Sequence, residues 1–284
     1  MFALGVLTDE ISPDLERALN VMEELGLKYA ELQTVWDKYI GRLSEGEVER
    51  IGRMVADRGM KVSCISPHCF FNVPLRADPD DKCYWGSYSE HLEDLKRCVH
   101  IAKELGTNLV RTFAFRIQML LDPPVLGDWW SLLLDKFKEP LKIAEQAGVT
   151  LVVETAFLTN TADCYLARKL IDDLGSKSMK VLWDVANGLF HGEKPYPEGY
   201  EHIKNRIGHI HIKDGVPNRS RFAFHFCAPG KGQVKTFPEI LKALQRDGYG
   251  GVLSFECEYI PEGGTKEDAL RMSVTALRDI LNGL

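Results

Sequence analysis

Four side chains able to hold a metal ion stand at the ends of four successive apolar segments. They are Glu154 after Thr150-Leu151-Val152-Val153, Asp184 after Val181-Leu182-Trp183, His211 after Ile207-Gly208-His209-Ile210, and Glu256 after Val252-Leu253-Ser254-Phe255. Their intervals of 30, 27 and 45 residues each approximate one strand plus one helix, so a barrel of such units carries all four to one rim. Three carboxylates and one imidazole make a hard, oxygen-rich donor set, which suits Mn²⁺ or Mg²⁺ and tolerates Co²⁺ or Zn²⁺ better than it suits a thiolate metal. A six-coordinate ion held this way keeps two positions free, and a substrate with adjacent carbonyl and hydroxyl oxygens could fill both. Taken singly, each residue has an ordinary alternative as a hydrogen-bonded rim group or a structural ion pair. Four together at matched strand ends favour a site.

Strand parity supports this, because residues two apart share a face. In the last segment Leu253, Phe255 and Cys257 are expected to face outward and Ser254, Glu256 and Glu258 inward; one segment earlier, Ile210 and Ile212 face outward and His209 and His211 inward. His209 falls below the rim, where a hydrogen-bonding role is expected rather than ligation. Arg111 is expected to pair with a neighbouring acid such as Glu31.

The elements that must position these groups are marked by a recurring phrase, a polar helix end, a glycine, then an apolar strand. It occurs at Gly26, Gly59, Gly106, Gly148, Gly175 and Gly248. Glycine relieves the strain of the left-handed turn after a helix, so each phrase reads as helix stop and strand start. With an opening strand near residues 3–7 and another over 207–212, eight strands alternate with helix-period patterns such as Leu15, Ala18, Leu19 and Met22. Such alternation implies a parallel sheet, and eight units can close into a barrel. The expected fold is therefore α/β, a single (β/α)8 TIM barrel spanning residues 1–284. A doubly wound sheet is the alternative, without a GxGxxG after the first strand to support it. The irregular stretches 67–86, 116–128, 187–199 and 214–235 each follow a strand and belong on the catalytic rim. Two aromatic insertions, Cys83-Tyr84-Trp85 and Asp128-Trp129-Trp130, line the pocket, pack as lids or anchor loops on helices.

Bulk composition excludes several classes. A chain of 284 residues with 45% hydrophobic and 27% charged residues has an ordinary soluble balance, and no apolar run approaches the ~20 residues of a membrane helix. The N-terminus lacks a basic start and a cleavage site, and reads as a first strand in a cytoplasmic protein. Seven cysteines without a CxxC pair argue for reduced, mostly buried thiols. A net charge of -6 disfavours nucleic acid. The expected partner is a small solute, with a homo-oligomer left open.

Three motifs then identify a resemblance: Ile207-Gly208-His209-Ile210-His211-Ile212-Lys213-Asp214, Pro229-Gly230-Lys231-Gly232-Gln233-Val234, and Gly248-Tyr249-Gly250-Gly251-Val252-Leu253-Ser254-Phe255-Glu256. Together they resemble the xylose-isomerase-like sugar (phosphate) isomerase and epimerase superfamily of TIM barrels. The resemblance implies a divalent metal, typically Mn²⁺, held by Glu154, Asp184, His211 and Glu256. It also implies that Glu154 removes the proton beside a substrate carbonyl while Glu256 returns one from the opposite face, through a metal-stabilised enediolate. Many relatives carry a substrate-binding His three residues after the sixth-strand Asp, where this chain has Asn187; an amide donates a hydrogen bond but is no acid or base. His191 is a second candidate for that role, with a solvated loop histidine as its alternative. His68 occupies a position where relatives touch substrate. Lys213, and Arg219 or Arg221, could meet a substrate phosphate or carboxylate, since late loops in barrels often do so. The expected function is thus a metal-dependent isomerase or epimerase of a small sugar, sugar phosphate or keto acid. The alternatives are an inosose-type dehydratase, an endonuclease IV-like repair enzyme, which needs a richer metal cluster and a basic rim, and a non-catalytic sugar-binding barrel.

Overall fold

All six of the phrase-forming glycines take positive φ, between 62° and 72°, as a chain leaving a helix into a new strand requires. The computed structural model describes residues 2–76, 78–81, 86–117 and 128–284. Eight strands carry the fold: β1 (Ala3–Leu7), β2 (Tyr29–Leu32), β3 (Lys61–Ile65), β4 (Leu109–Thr112), β5 (Thr150–Glu154), β6 (Met179–Asp184), β7 (Ile207–Ile212) and β8 (Val252–Phe255). Eight helices follow them in turn: α1 (Leu15–Glu24), α2 (Glu45–Ala56), α3 (Tyr88–Glu104), α4 (Trp129–Ala147), α5 (Cys164–Leu174), α6 (Tyr200–Ile203), α7 (Phe237–Arg246) and α8 (Lys266–Asn282). Their starts are written locally. Ser44 with Glu47, Ser87 with Glu90 and Thr265 with Asp268 form reciprocal capping boxes, which satisfy amide donors that a helix cannot pair itself.

Every strand runs parallel to its neighbours, and β1 bonds to both β2 and β8, closing the sheet. The chain is a single (β/α)8 TIM barrel, and the open-sheet alternative is set aside. Parity holds: Ile210, Ile212, Leu253 and Phe255 pack outward with the helices in the main core. Among the described residues, Cys64, Val152 and Leu182, with Leu109 against them, form a small apolar cluster separate from the main core. Polar side chains on the inward faces, among them Glu31, Arg111, His209, His211 and Ser254, are nearly inaccessible.

One sequence expectation changes. The stretch 214–235, read as irregular, contains an antiparallel hairpin, Asp214–Asn218 against Ala223–Cys227. Its base is fixed by the buried Asp214 carboxylate, which accepts from the N–H groups of Gly215, Gly232 and Val234 at 2.7, 2.9 and 3.0 Å. A Cβ at Gly232 would stand 2.3 Å from Asp214 Oδ1, so the Gly in the Pro229 to Val234 motif is demanded by this close approach. Asp128-Trp129-Trp130 opens α4 and anchors it. Asp128 caps the helix, and Trp130 Nε1 donates to Asp173 at 2.6 Å on α5. The other aromatic insertion, Cys83-Tyr84-Trp85, lies outside the described residues. The six described cysteines are free, five of them buried. Among the described residues, no helix is long and apolar enough to cross a membrane.

Candidate metal centre

Parallel strands of matched register deliver Glu154, Asp184 and His211 to the C-terminal ends of β5, β6 and β7, with Glu256 one residue beyond β8. Leu182 of β6 pairs with both Glu154 and His209, and Asp184 pairs with His211. Each of the four contributes one ligand-capable atom to a cluster whose members lie within 4.8 Å of one another, all buried. A register shift between Val181 and Leu182 marks a bulge beside the cluster, and a second occurs between Ala30 and Glu31. Bulges re-aim side chains at such places.

Two of these side chains are oriented by hydrogen bonds to neighbours. Asp184 Oδ1 accepts from the Ala186 and Asn187 amides, both at 2.9 Å, which turns Oδ2 toward the cluster. His211 Nε2 bonds Glu31 Oε1 at 2.9 Å, which turns Nδ1 toward Glu256 Oε2 and Glu154 Oε1 at 3.2 and 3.8 Å. Among the described residues, Asp184 Oδ2, His211 Nδ1 and Glu256 Oε2 are buried without a hydrogen bond of good geometry, and the counter-charge against the two carboxylate oxygens is the Lys213 ammonium, at 2.9 and 2.5 Å. Buried charged oxygens need a counter-charge, and these three atoms, converging on one point beside a third carboxylate, Glu154, form a donor set that fits a hard divalent cation.

The electrostatics follow from burial and pairing. Burial pushes the Asp184 carboxyl up to about 7 against the pull of Lys213, with Glu256 and Glu154 adding to the rise. Despite the same burial, Lys213 and His211 hold Glu256 well below the usual carboxylate range. Burial lowers His211, but Glu31 and Glu256 outweigh it and hold the imidazole well above its ordinary value.

Around the cluster lies a cavity of about 170 Å³, lined by His68, Phe71, Phe113, Phe157 and Asn187 together with Arg111, Lys213, Glu154, Glu256 and Glu258. It is smaller than the ~300–1,000 Å³ usual for drug-sized ligands, so it admits a small solute. His68 sits among aromatic rings, parallel to Phe113 with 6.0 Å between centroids, and burial, then Arg111, lowers its pKa to about 3, so it enters the site as a neutral ring. Asn187 Nδ2 donates to Thr155 O at 3.0 Å and reaches Glu154 Oε1 at 3.5 Å.

Several expected residues stand elsewhere. His191 is exposed and its Nε2 meets the Phe157 carbonyl at 2.9 Å, so it is not brought into the cavity. Arg219 spends its guanidinium on the Phe190 and Leu189 carbonyls, both at 2.7 Å, and Arg221 is exposed on the hairpin tip. Lys213, by contrast, is buried and meets Asp184, Glu256 and Glu258 at 2.9, 2.5 and 2.5 Å. Arg111 does not bond Glu31. It pairs with Glu154 and Glu256 at 3.1 and 3.5 Å, because Glu31 is already taken by His209, His211 and Ser66. Glu31 and Arg111 are the two site groups that sequence reading undervalued, and the available signal was their inward parity on otherwise apolar strands. His209 has the hydrogen-bonding role expected of it.

Comparison with known proteins bears on the same architecture. A family profile described as xylose isomerase-like TIM barrel matches residues 19–279. An inosose dehydratase of Geobacillus thermodenitrificans is 28% identical over 152 residues, which is 49% of this chain and 50% of the relative. The chain thus spans about half the length of that relative. Among solved structures, the IolI protein with a bound zinc atom aligns with a TM-score of 0.77 at 19% identity, covering 100% of this chain and 99% of the other. The 3-keto-D-glucoside 4-epimerase YcjR of E. coli aligns with a TM-score of 0.72 at 15% identity over 99% and 100%. A xylose isomerase-like barrel of Mycobacterium smegmatis, in complex with magnesium, aligns at 0.68 and 19% identity over 94% and 89%. At these identities the structural likeness speaks to the fold, while the profile match extends across nearly the whole barrel. The chain belongs to the xylose isomerase-like TIM barrel family.

Proposed function

We propose that the protein is a divalent-metal-dependent enzyme that moves a proton beside the carbonyl of a small polyhydroxylated ketone, isomerising or epimerising a sugar, sugar phosphate or keto acid. The observation that carries this reading is the convergence of Asp184 Oδ2, His211 Nδ1 and Glu256 Oε2, buried, without good hydrogen bonds and already gathered around a cation, the Lys213 ammonium, beside Glu154 and a small cavity. Glu154, Asp184, His211 and Glu256 would hold the ion, with Mn²⁺ favoured by the hard donor set and Mg²⁺, Zn²⁺ and Co²⁺ as alternatives. When bound, the ion supplies Lewis-acid stabilisation of negative charge growing on the substrate oxygens.

The remaining steps belong to the chain. Glu154 takes the proton beside the carbonyl, and Glu256 returns one from the other face. Asn187 Nδ2 orients a substrate oxygen next to Glu154, the aromatic wall of His68, Phe71 and Phe113 excludes water, and Lys213 offers its ammonium to an anionic or hydroxyl group. His191, bonded outside the cavity, has no role in this scheme.

A second reading is favoured by the inosose dehydratase relatives: the same proton removal followed by loss of a β-hydroxyl from a cyclic polyol. One experiment separates the two. The Mn²⁺-loaded protein is incubated in D₂O with ketoses, keto acids and inososes, and followed by NMR and ultraviolet absorbance. Deuterium uptake at the carbon beside the carbonyl, without new absorbance, is the expected result. A rising conjugated absorbance would replace epimerisation by dehydration, and binding without any exchange would leave a non-catalytic barrel.

A further inference from the structure

We infer that Arg111 is a positioning residue that divides the carboxylate oxygens of Glu154 and Glu256, reserving one of each pair for the substrate; this rests on the metal-dependent reading above. The two glutamates split in the same manner. Glu154 Oε1 and Glu256 Oε2 face His211 Nδ1, at 3.8 and 3.2 Å, and Glu256 Oε2 also faces Lys213. Arg111 Nη1 takes Glu154 Oε2 at 3.1 Å and Glu256 Oε1 at 3.5 Å, the oxygens on the other side.

Arg111 is itself fixed. It is 1% exposed. Nε donates to Pro67 O at 3.3 Å, and Nη2 donates to Ser66 O at 2.8 Å and to Gln33 Oε1 at 2.5 Å, while the guanidinium lies 5.0 Å from the centre of the Phe113 ring. With Nη1 shared between the glutamates, all three nitrogens are engaged, so the rigid fork cannot swing away to follow a ligand. A buried guanidinium needs its counter-charges, and here those are the two groups proposed to move protons. An unrestrained carboxylate can turn both oxygens onto a metal ion. Held by Arg111, each glutamate gives one oxygen to the ion and keeps the second on the wall of the cavity that Arg111 also lines. Lys213 cannot substitute, because it approaches Glu256 from the ligand side.

Co²⁺ is the probe, since its visible absorption reports coordination number and is independent of turnover. Wild type, Arg111→Met and Arg111→Lys are stripped with chelator, titrated with Co²⁺ by calorimetry and absorption, and checked for fold by circular dichroism. Both variants are expected to bind one Co²⁺ at least as tightly as wild type, with a weaker and shifted band as the freed oxygens join the ion. Proton exchange in the Mn²⁺-loaded variants should fall on the order of 10²-fold, the lower end of a general-base contribution. Ethylguanidinium added to Arg111→Ala should restore the wild-type band. An unchanged Co²⁺ band in the folded variants would overturn the inference while leaving the metal reading intact, as would loss of Co²⁺ binding together with loss of fold in both. Failure of the wild type to bind Co²⁺ would instead sink the metal reading and take this inference with it.

Discussion

Two polar layers lie one above the other in the upper half of the barrel, and they are built to different ends. In the lower layer a single carboxylate, Glu31, spends both oxygens on His209 and His211, at 2.8 and 2.9 Å, and also accepts from Ser66. Burial raises that carboxyl, yet His211 and His209 outweigh it and hold Glu31 well below the usual range. In the upper layer Glu154, Asp184, His211 and Glu256 crowd together while three of their atoms go without good hydrogen bonds. A buried acid whose oxygens are saturated by hydrogen bonds is part of the architecture; buried acids that converge with only a lysine ammonium as counter-charge on two of them are a place for a further cation to bind. His211 belongs to both layers, one nitrogen in each.

The comparison predicts that damage to the two layers separates into different observables. The largest effect is expected above: Glu154→Gln and Glu256→Gln should retain metal and lose turnover by roughly 10²–10⁴-fold, because an amide oxygen can ligate but cannot accept the proton. Metal content with steady-state exchange rates checks this, and near-normal rates with metal bound would remove the two-glutamate mechanism. Below, Glu31→Ala should cost about 3–5 kcal/mol of stability in denaturant unfolding, the penalty for stranding the buried partners of a broken ion pair. A fully stable Glu31→Ala protein would erase the distinction between the layers.

Smaller effects sharpen it. Asn187→Ala should raise KM or lower kcat/KM by about 1–3 kcal/mol, the cost of an unpaired buried partner, without changing which carbon exchanges its proton. NMR location of the deuterium decides, and a shifted carbon would make Asn187 a director of the chemistry. The smallest is a proton count. Since Glu31 and Glu256 keep His211 protonated well above the ordinary imidazole range against the effect of burial, an ion taking Nδ1 must expel that proton. Affinity should therefore fall as pH falls. Calorimetry at neutral pH in buffers of different ionisation enthalpy should show net proton release, and buffer-independent heats would contradict it.

Much of this was legible in the chain. The glycine phrases marked the strands because a helix exit into a left-handed turn is a local event, and inward parity pointed to His211 and Glu256 because side-chain alternation is local too. What escaped was non-local. Glu31 and His209 are 178 residues apart in sequence, and only barrel closure makes them partners. Arg111 has Glu154 on the adjacent strand, and its attachment there rather than to Glu31 depended on Glu31 being saturated already. The hairpin at 214–227 hid within a polar stretch because its pairing rests on Asp214 gripping the backbone of Gly232 and Val234. Proximity in sequence to Asn187 suggests His191 as a substrate contact, but the turn over Asn187–His191 carries the two side chains to different places, His191 to the Phe157 carbonyl and Asn187 to the Thr155 carbonyl.

The claim on which the rest depends is that the upper layer binds one divalent ion through Glu154, Asp184, His211 and Glu256. Titration of chelator-treated protein with Mn²⁺ by calorimetry, in wild type and in His211→Ala, tests it most directly. The account predicts one tight site per chain in wild type and its loss in a His211→Ala protein that keeps its helical circular dichroism. Equal affinity in the two proteins, or no saturable site in the wild type, would contradict it.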